Sequence, residues 1–413
     1  MRDGAVALDG DTVVAVGPRA EVEARYGAGE RLEAVILPAL VNAHLHLELS
    51  HLAGRVPGGE GLPAWIERFL ATRAATRDGE PERAMAASVE SLVAAGVAAV
   101  GDVTNTLASL GPLASAGLAG TLYHEVFGIA PGRIEEALDR ARAVRRAAEP
   151  PPPGLRIAPS PHAVYSTHPS AVSELLRAGP ASIHLAEDPA ERELCASGTG
   201  AFARLRAALG SPPGDPPTRA RSAVAAVASA LAPHHLAVHA VDVDEEDLAL
   251  LERAGATVVV CPRSNRHIGG RLPPFPALLA AGVPLAVGTD SLASSPSLAP
   301  LAELVVLRRA FPQVPPSRLL PLAWNGAAVG APAVGRLTPG TAPGVIAAPL
   351  AGARVDDPYE FLVSVHGAEE RPFRWLARHH APHPPPSARG EGERNHPGAS
   401  SPRSARRAGG APS

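Results

Sequence analysis

Cysteine is nearly absent. Two occur in 413 residues, Cys195 and Cys261, which rules out a disulfide scaffold. Aromatic residues make up only 3% of the chain, so a core has to be assembled from alanine, valine and leucine. An excess of either charge is also lacking. With 38 basic and 41 acidic residues the net charge is -3, and no general field draws nucleic acid or an acidic membrane. No uncharged run of about 18 apolar residues is present to span a bilayer, and the opening Met1-Arg2-Asp3-Gly4 carries no apolar signal segment. The expectation is a cytoplasmic protein with a small-molecule partner, no nucleic acid and no membrane, and with assembly into a homo-oligomer left open. An early glycine-rich phosphate turn is missing too, which speaks against an open dinucleotide-binding sheet.

What is present is 46% hydrophobic sequence, punctuated by 45 prolines and 40 glycines, enough for a large core. Residues 5–17 alternate around Asp9-Gly10 and predict a hairpin. A lone hairpin needs a partner sheet, and the abrupt start leaves room for a further strand ahead of it. From residue 35 short apolar runs alternate with alanine-rich helical stretches. Strands are expected over 35–46, 97–102, 120–125, 155–160, 181–186, 235–240, 256–261 and 284–288, with helices that include 80–95, 133–148, 170–178, 244–254 and 298–310. Eight strand-then-helix units predict an α/β chain with a closed (β/α)8 TIM-like barrel. The proline-rich stretch 212–217 reads as a loop. Apolar runs at 346–350 and 361–363 are candidate strands to pair with the hairpin. The expected division is a small β-sandwich domain from both termini (1–34 and 333–370), a barrel over 35–332, and a disordered tail over 381–413 that has few large apolar groups.

The apolar run ending at Val41 leads into Asn42-Ala43-His44-Leu45-His46. Residues i and i+2 of a strand share a face, so His44 and His46 can reach one ion together, although the pair alone fits packed histidines equally well. Functional groups of such barrels sit at the C-terminal ends of the strands. His184 ends the fifth, His239 the sixth, and Asp290 follows the eighth. Four imidazoles and a carboxylate spread over four strand ends point to a divalent metal, zinc or alternatively iron.

These pieces, with Glu187 three residues after His184, Cys261-Pro262-Arg263-Ser264-Asn265 and Gly288-Thr289-Asp290-Ser291, resemble the amidohydrolase superfamily in its cytosine/guanine/chlorohydrolase-like deaminase branch. The resemblance spans residues from about 10 to 345. It implies one divalent ion held by His44, His46, His184, His239 and Asp290. No strand-four lysine is evident for a carboxylated bridge, which favours one ion over two. The implied catalytic groups are Glu187, His239 and Asp290. In this scheme the ion lowers the pKa of water and Asp290 accepts the water's proton. Glu187 protonates a ring nitrogen, and His239 bonds to the tetrahedral oxygen. A carboxylate is also favoured at a helix start, but the three-residue offset from His184 favours the catalytic role for Glu187. The layout of nucleic-acid-editing zinc deaminases needs a second nearby cysteine, and Cys261 has none.

For the substrate, the segment 42–50 resembles the subgroup that deaminates aminodeoxyfutalosine, an adenine nucleoside carrying a benzoate, in menaquinone synthesis. Members that take thioether adenosines tend to have a methionine shortly after the second histidine, where this chain has Leu47 and Glu48. Glu48 is a candidate for ribose hydroxyls or the base edge, or is simply a solvated carboxylate. His162 is a candidate for a sugar hydroxyl or ring atom, or a packed histidine. Arg263, with Arg266 behind it, is the candidate for a substrate carboxylate. Trp65, Phe69 and Tyr123 line a pocket or belong to the core. The alternatives are another reaction of the superfamily, acting on guanine, S-adenosylhomocysteine, methylthioadenosine or a triazine, including cyclic-amide opening and halide displacement, or a metal-binding protein without turnover.

Overall fold

A computed structural model describes residues 1–208, 210 and 219–379. The expected loop at 212–217 and tail at 381–413 lie outside the described residues. The hairpin forms as β1 (Gly4–Asp9) and β2 (Thr12–Pro18), joined through Asp9-Gly10 with Gly10 at a φ of 56°. The long strand expected over 35–46 is two strands. Pro38 has no N–H to give a ladder, and the next N–H, that of Ala39, bonds to the Gly344 carbonyl at 3.0 Å. The chain thereby changes sheets between β3 (Ala34–Pro38) and β4 (Leu40–Leu45).

β4 opens a run of eight parallel strands. It is followed by β5 (Val97–Thr104), β6 (Ala119–Val126), β7 (Leu155–Pro161), β8 (Ala181–Leu185), β9 (His235–His239), β10 (Thr257–Val260) and β11 (Leu285–Val287). Two four-stranded sheets result, ordered β4-β5-β6-β7 and β11-β10-β9-β8. They meet at two seams. At one, the His184 N–H donates to the His162 carbonyl (2.9 Å) and the Ser182 N–H to Ser160 Oγ (2.7 Å). At the other, the N–H groups of Thr289 and Asp290 both donate to the His44 carbonyl, at 2.9 and 3.0 Å. Together they close the predicted barrel. Its strands are valine- and alanine-rich and almost wholly buried, as parallel strands between a core and surrounding helices must be.

A separate antiparallel sheet is ordered β13-β12-β3, with β12 at Pro343–Pro349 and β13 at Arg374–His379. β12 realises the expected strand near 346–350, but its ladder partners are β3 and β13. The hairpin docks on it through an apolar cluster of Val13, Val345 and Ala377, and through Val13–Thr341 and Gly340–Val13 backbone bonds. The run at 361–363 is not a strand: it ends helix Pro358–Phe361 and enters a π-type turn, Leu362–His366. No helix among the described residues is long and apolar enough to cross a membrane.

Candidate metal centre and its surroundings

The strand ends bring His44, His46, His184 and Asp290 together, each with a ligand atom within 4.8 Å of the others'. His46 Nε2 lies 3.3 Å from His184 Nε2 and 3.5 Å from Asp290 Oδ1, and His44 Nε2 lies 3.8 Å from the same oxygen. Both ring nitrogens of His44 are buried without a partner. Burial pushes the His44 and His184 imidazoles well down, with neighbouring imidazoles adding to it. Neutral rings with free lone pairs beside a carboxylate are what a divalent ion needs, and the residues fit one. The ring of His184 is oriented by its Nδ1, which donates to the His162 carbonyl at 3.1 Å and leaves Nε2 facing the cluster.

Burial raises the Asp290 carboxyl, but electrostatic interaction with the rings of His46, His239 and His184 and the hydrogen bond from the Ser264 hydroxyl outweigh it, and the group ends below its usual value. Its Oδ2 accepts from Ser264 Oγ (2.6 Å) and Ser294 Oγ (3.2 Å), and its Oδ1 accepts from the Ser291 N–H (2.7 Å). Asp290 has a φ of 61°; Ala186, His239 and Ala240 are also left-handed, at 53°, 81° and 48°. Non-glycine residues hold such backbone only where the surroundings impose it, and such positions gather at functional sites.

His239 was expected among the ligands, yet its ring nitrogen groups with Glu187 and Asp290 instead of with His44, His46 and His184. Its Nε2 is 3.4 Å from Glu187 Oε2, and its Nδ1 is 3.0 Å from Asn265 Nδ2. Burial lowers this imidazole to about 4, partly opposed by Asp290. Glu187 is pushed well above its usual value by burial, then by the charges of Asp290 and Glu191, and its Oε1 has no partner. The buried Glu191 carboxyl accepts from the N–H groups of Ala186 (3.2 Å) and Glu187 (2.7 Å), fixing the turn that presents Glu187.

The three expected substrate residues part company. His162 is at the site, its ring 4.8 Å from that of His184 and its Nδ1 bonded to Ser166 Oγ. Glu125, unassigned in the sequence, lies beside both, with Oε1 3.7 Å from His184 Nδ1 and 4.0 Å from His162 Nε2. Glu48 is committed elsewhere. Its carboxylate accepts from the N–H groups of Asn105 (2.9 Å) and Thr106 (3.1 Å) and from the hydroxyls of Thr104 and Thr106, so it pins the loop after β5. Arg263 is not free for a substrate carboxylate either. Its Nε donates to the fully buried Glu303 (2.6 Å), Nη1 to Glu370 (3.0 Å) and Nη2 to the carbonyl and hydroxyl of Ser297. Arg266 is exposed and falls on the far side of its helical turn from Ser264. Trp65 stacks on Phe69 at 5.2 Å within an apolar cluster that includes Leu52, Leu62 and Ile268, and Tyr123 is fully buried, so these aromatics are core.

The Amidohydrolase family model matches residues 35–349, and a bacterial imidazolonepropionase-like composite domain model matches 4–28. The aminodeoxyfutalosine deaminase of Deinococcus radiodurans is 34% identical over 358 residues, covering 81% of this chain and 82% of that protein. A 5-methylthioadenosine/S-adenosylhomocysteine deaminase of Nitratidesulfovibrio vulgaris is 30% identical over 364 residues, covering 82% and 78%. Among solved structures, the Helicobacter pylori aminofutalosine deaminase in complex with methylthio-coformycin superposes with a TM-score of 0.77 over 90% of this chain and 93% of that one, at 21% identity.

Proposed function

As the chain belongs to the amidohydrolase family, we propose that it hydrolytically deaminates 6-aminodeoxyfutalosine, in menaquinone synthesis, with one zinc ion per chain. At the coarser level it is a metal-dependent amidohydrolase that deaminates an adenine-nucleoside-like substrate. The observation that carries the reading is Glu187, buried with its carboxyl pushed well up and one carboxyl oxygen free, beside His239 and the His44–His46–His184–Asp290 set. The sequence contains no lysine, so no carboxylated lysine bridges a second ion. The division into a small β domain and a barrel belongs to the same proposal, with the expected small-domain bounds of 1–34 and 333–370 widened to take in β3 (Ala34–Pro38) and β13 (Arg374–His379).

His44, His46, His184 and Asp290 would hold the ion, which supplies Lewis acidity that brings the pKa of water toward neutrality. Asp290, ionised and braced by Ser264 and Ser294, takes up the water's proton. Glu187 delivers its proton to the purine ring nitrogen next to the attacked carbon. His239 bonds to the oxygen on that carbon as it becomes tetrahedral. Asp290 then passes the proton it took from water to the exocyclic amine, which leaves as ammonia, while the hydroxyl on the attacked carbon returns a proton to Glu187 and the adenine becomes hypoxanthine. His162, beside His184, meets the sugar or ring.

A methylthioadenosine-type substrate is the second reading. It is favoured by the commitment of Arg263 to Glu303, which leaves a substrate benzoate without the cation expected for it. The test is a zinc-loaded assay of aminodeoxyfutalosine, methylthioadenosine, S-adenosylhomocysteine and adenosine that follows ammonia and the ultraviolet change of adenine to hypoxanthine. The highest kcat/KM is expected for aminodeoxyfutalosine. A higher value for methylthioadenosine would transfer the assignment to the second reading, and no ammonia from any of the four would end the deaminase reading.

A further inference from the structure

We propose that Asn265 is a positioning residue that fixes the tautomer of His239, holding the proton on Nε2 so that this ring donates a hydrogen bond into the pocket and does not ligate the ion. Its catalytic consequence rests on the deaminase reading above; the tautomer does not.

The starting point is a contrast between two histidines at adjacent strand ends. Behind His184, 3.1 Å from Nδ1, stands the carbonyl of His162, which can only accept. Nδ1 of His184 therefore carries the proton and Nε2 offers a lone pair to the ligand cluster. Behind His239, 3.0 Å from Nδ1, stands the Nδ2 amide nitrogen of Asn265, which can only donate. Nδ1 of His239 therefore holds the lone pair, and the proton sits on Nε2. The same ring type, reversed by its rear partner, becomes a ligand in one case and a donor in the other.

The pocket side agrees. Nε2 of His239 is 3.4 Å from Glu187 Oε2 and shares a 4.8 Å neighbourhood with Asp290. Carboxyl oxygens facing an N–H are partners, whereas facing a lone pair they repel it. Nε2 of His239 is buried and makes no hydrogen bond, and Glu187 Oε1 is likewise unpartnered, so a proton on Nε2 is available to an oxygen in the pocket. The amide is held in place because Asn265 sits on helix Pro262–Gly269, whose preceding residues are both tied down: Arg263 by Glu303, and Ser264 by Asp290 and Ser294. Asn265 Oδ1 has no partner. Turned over, the side chain would strand two amide hydrogens at that place in exchange for one acceptor.

The test uses the full chain, zinc-loaded and labelled with 15N-histidine, with the His239 signals assigned by their loss in His239→Gln. In the wild type Nε2 should be the protonated nitrogen and Nδ1 the bare one. Asn265→Asp puts an acceptor behind Nδ1 and should reverse the pair. It should also lower kcat about 100-fold or more, the effect of losing an oxyanion donor, with zinc content and KM little changed. A wild-type ring protonated on Nδ1, or an unchanged tautomer in Asn265→Asp, would overturn the proposal, and the wild-type spectrum decides even where the variant does not fold. The predicted spectrum in a chain that releases no ammonia would defeat the deaminase reading alone. The opposite spectrum in an active deaminase would defeat this inference alone.

Discussion

At the scale of the residue, Arg263 and Glu303 illustrate what a strand-end charge can be for. Glu303 is fully buried, and burial raises its carboxyl even though Arg263 works against that. Removing one member of such a pair leaves an uncompensated buried group, so Arg263→Met is expected to cost about 3–5 kcal/mol in urea unfolding. A loss below about 1 kcal/mol would show the pair to be dispensable. The same variant should not selectively impair carboxylate-bearing substrates relative to adenosine. Glu187→Gln is the complementary case: it should keep fold and zinc while kcat drops about 100-fold or more, and near-normal turnover would reduce Glu187 to a helix-start residue. His44, His46, His184, Glu187, His239 and Asp290 could be picked out in the sequence because each follows a recognisable apolar run, and barrel topology then gathers the ends. Arg263 and Glu48 could not be sorted the same way. Their partners, Glu303 and the loop from Thr104 to Thr106, stand 40 and 56–58 positions away, and no local pattern announces them. Asn265 and Ser264 were visible as part of a motif, but what they hold becomes apparent only when β9 and the residues after β11 lie beside them.

At the scale of the element, the eight barrel strands were readable because buried parallel strands are near-continuous apolar runs. The edges of the small sheet were not. Phe361-Leu362-Val363 is as apolar as a strand and buried like one, yet it belongs to a helical turn. β13, Arg-Trp-Leu-Ala-Arg-His, carries too few consecutive apolar residues to stand out. Short apolar runs do not separate helix from strand by themselves. The seam between β4 and the end of β11 depends on Gly288. A Cβ there would come within 2.7 Å of His44 Cβ, 2.8 Å of its carbonyl oxygen and 2.9 Å of its nitrogen. Gly288→Ala should therefore push the two strands apart at a ligand position. The expected loss is about 1–3 kcal/mol from overpacking in thermal unfolding, with zinc affinity weakened about 10-fold or more by titration. Unchanged zinc affinity would show that the seam yields elsewhere.

At the scale of the whole molecule, buried ionisable groups of both kinds set the response of the metal-free chain to pH. Burial lowers His162 to about 3 and His239 to about 4, from an ordinary 6.5. Below about 6.5 the unfolded chain takes up protons that these rings refuse, so stability falls as pH falls. Burial raises Glu191 to about 8 and Asp102 to about 7, from 4.5 and 3.8. Above about 4.5 the unfolded chain has released protons that these carboxyls keep, so stability falls as pH rises. The two slopes oppose each other between about 4.5 and 6.5, where the metal-free chain should be most stable. Urea midpoints from pH 3.5 to 8.5 would check this, and a maximum at pH 8 would contradict it. The closure of the barrel has a further consequence, for the order of events during synthesis. His44 lies on β4 of the first four-stranded sheet with His46 just past its end, and His184 lies on β8 of the second with Asp290 just past the end of β11. A nascent chain that has emerged only as far as β7 owns half a binding site. The fourth ligand leaves the ribosome nearly 250 residues after the first, so the ion can be captured at full strength only once translation has passed Asp290 and both seams have shut. Metal uptake then acts as a late checkpoint, recording that the first and last strands have found each other.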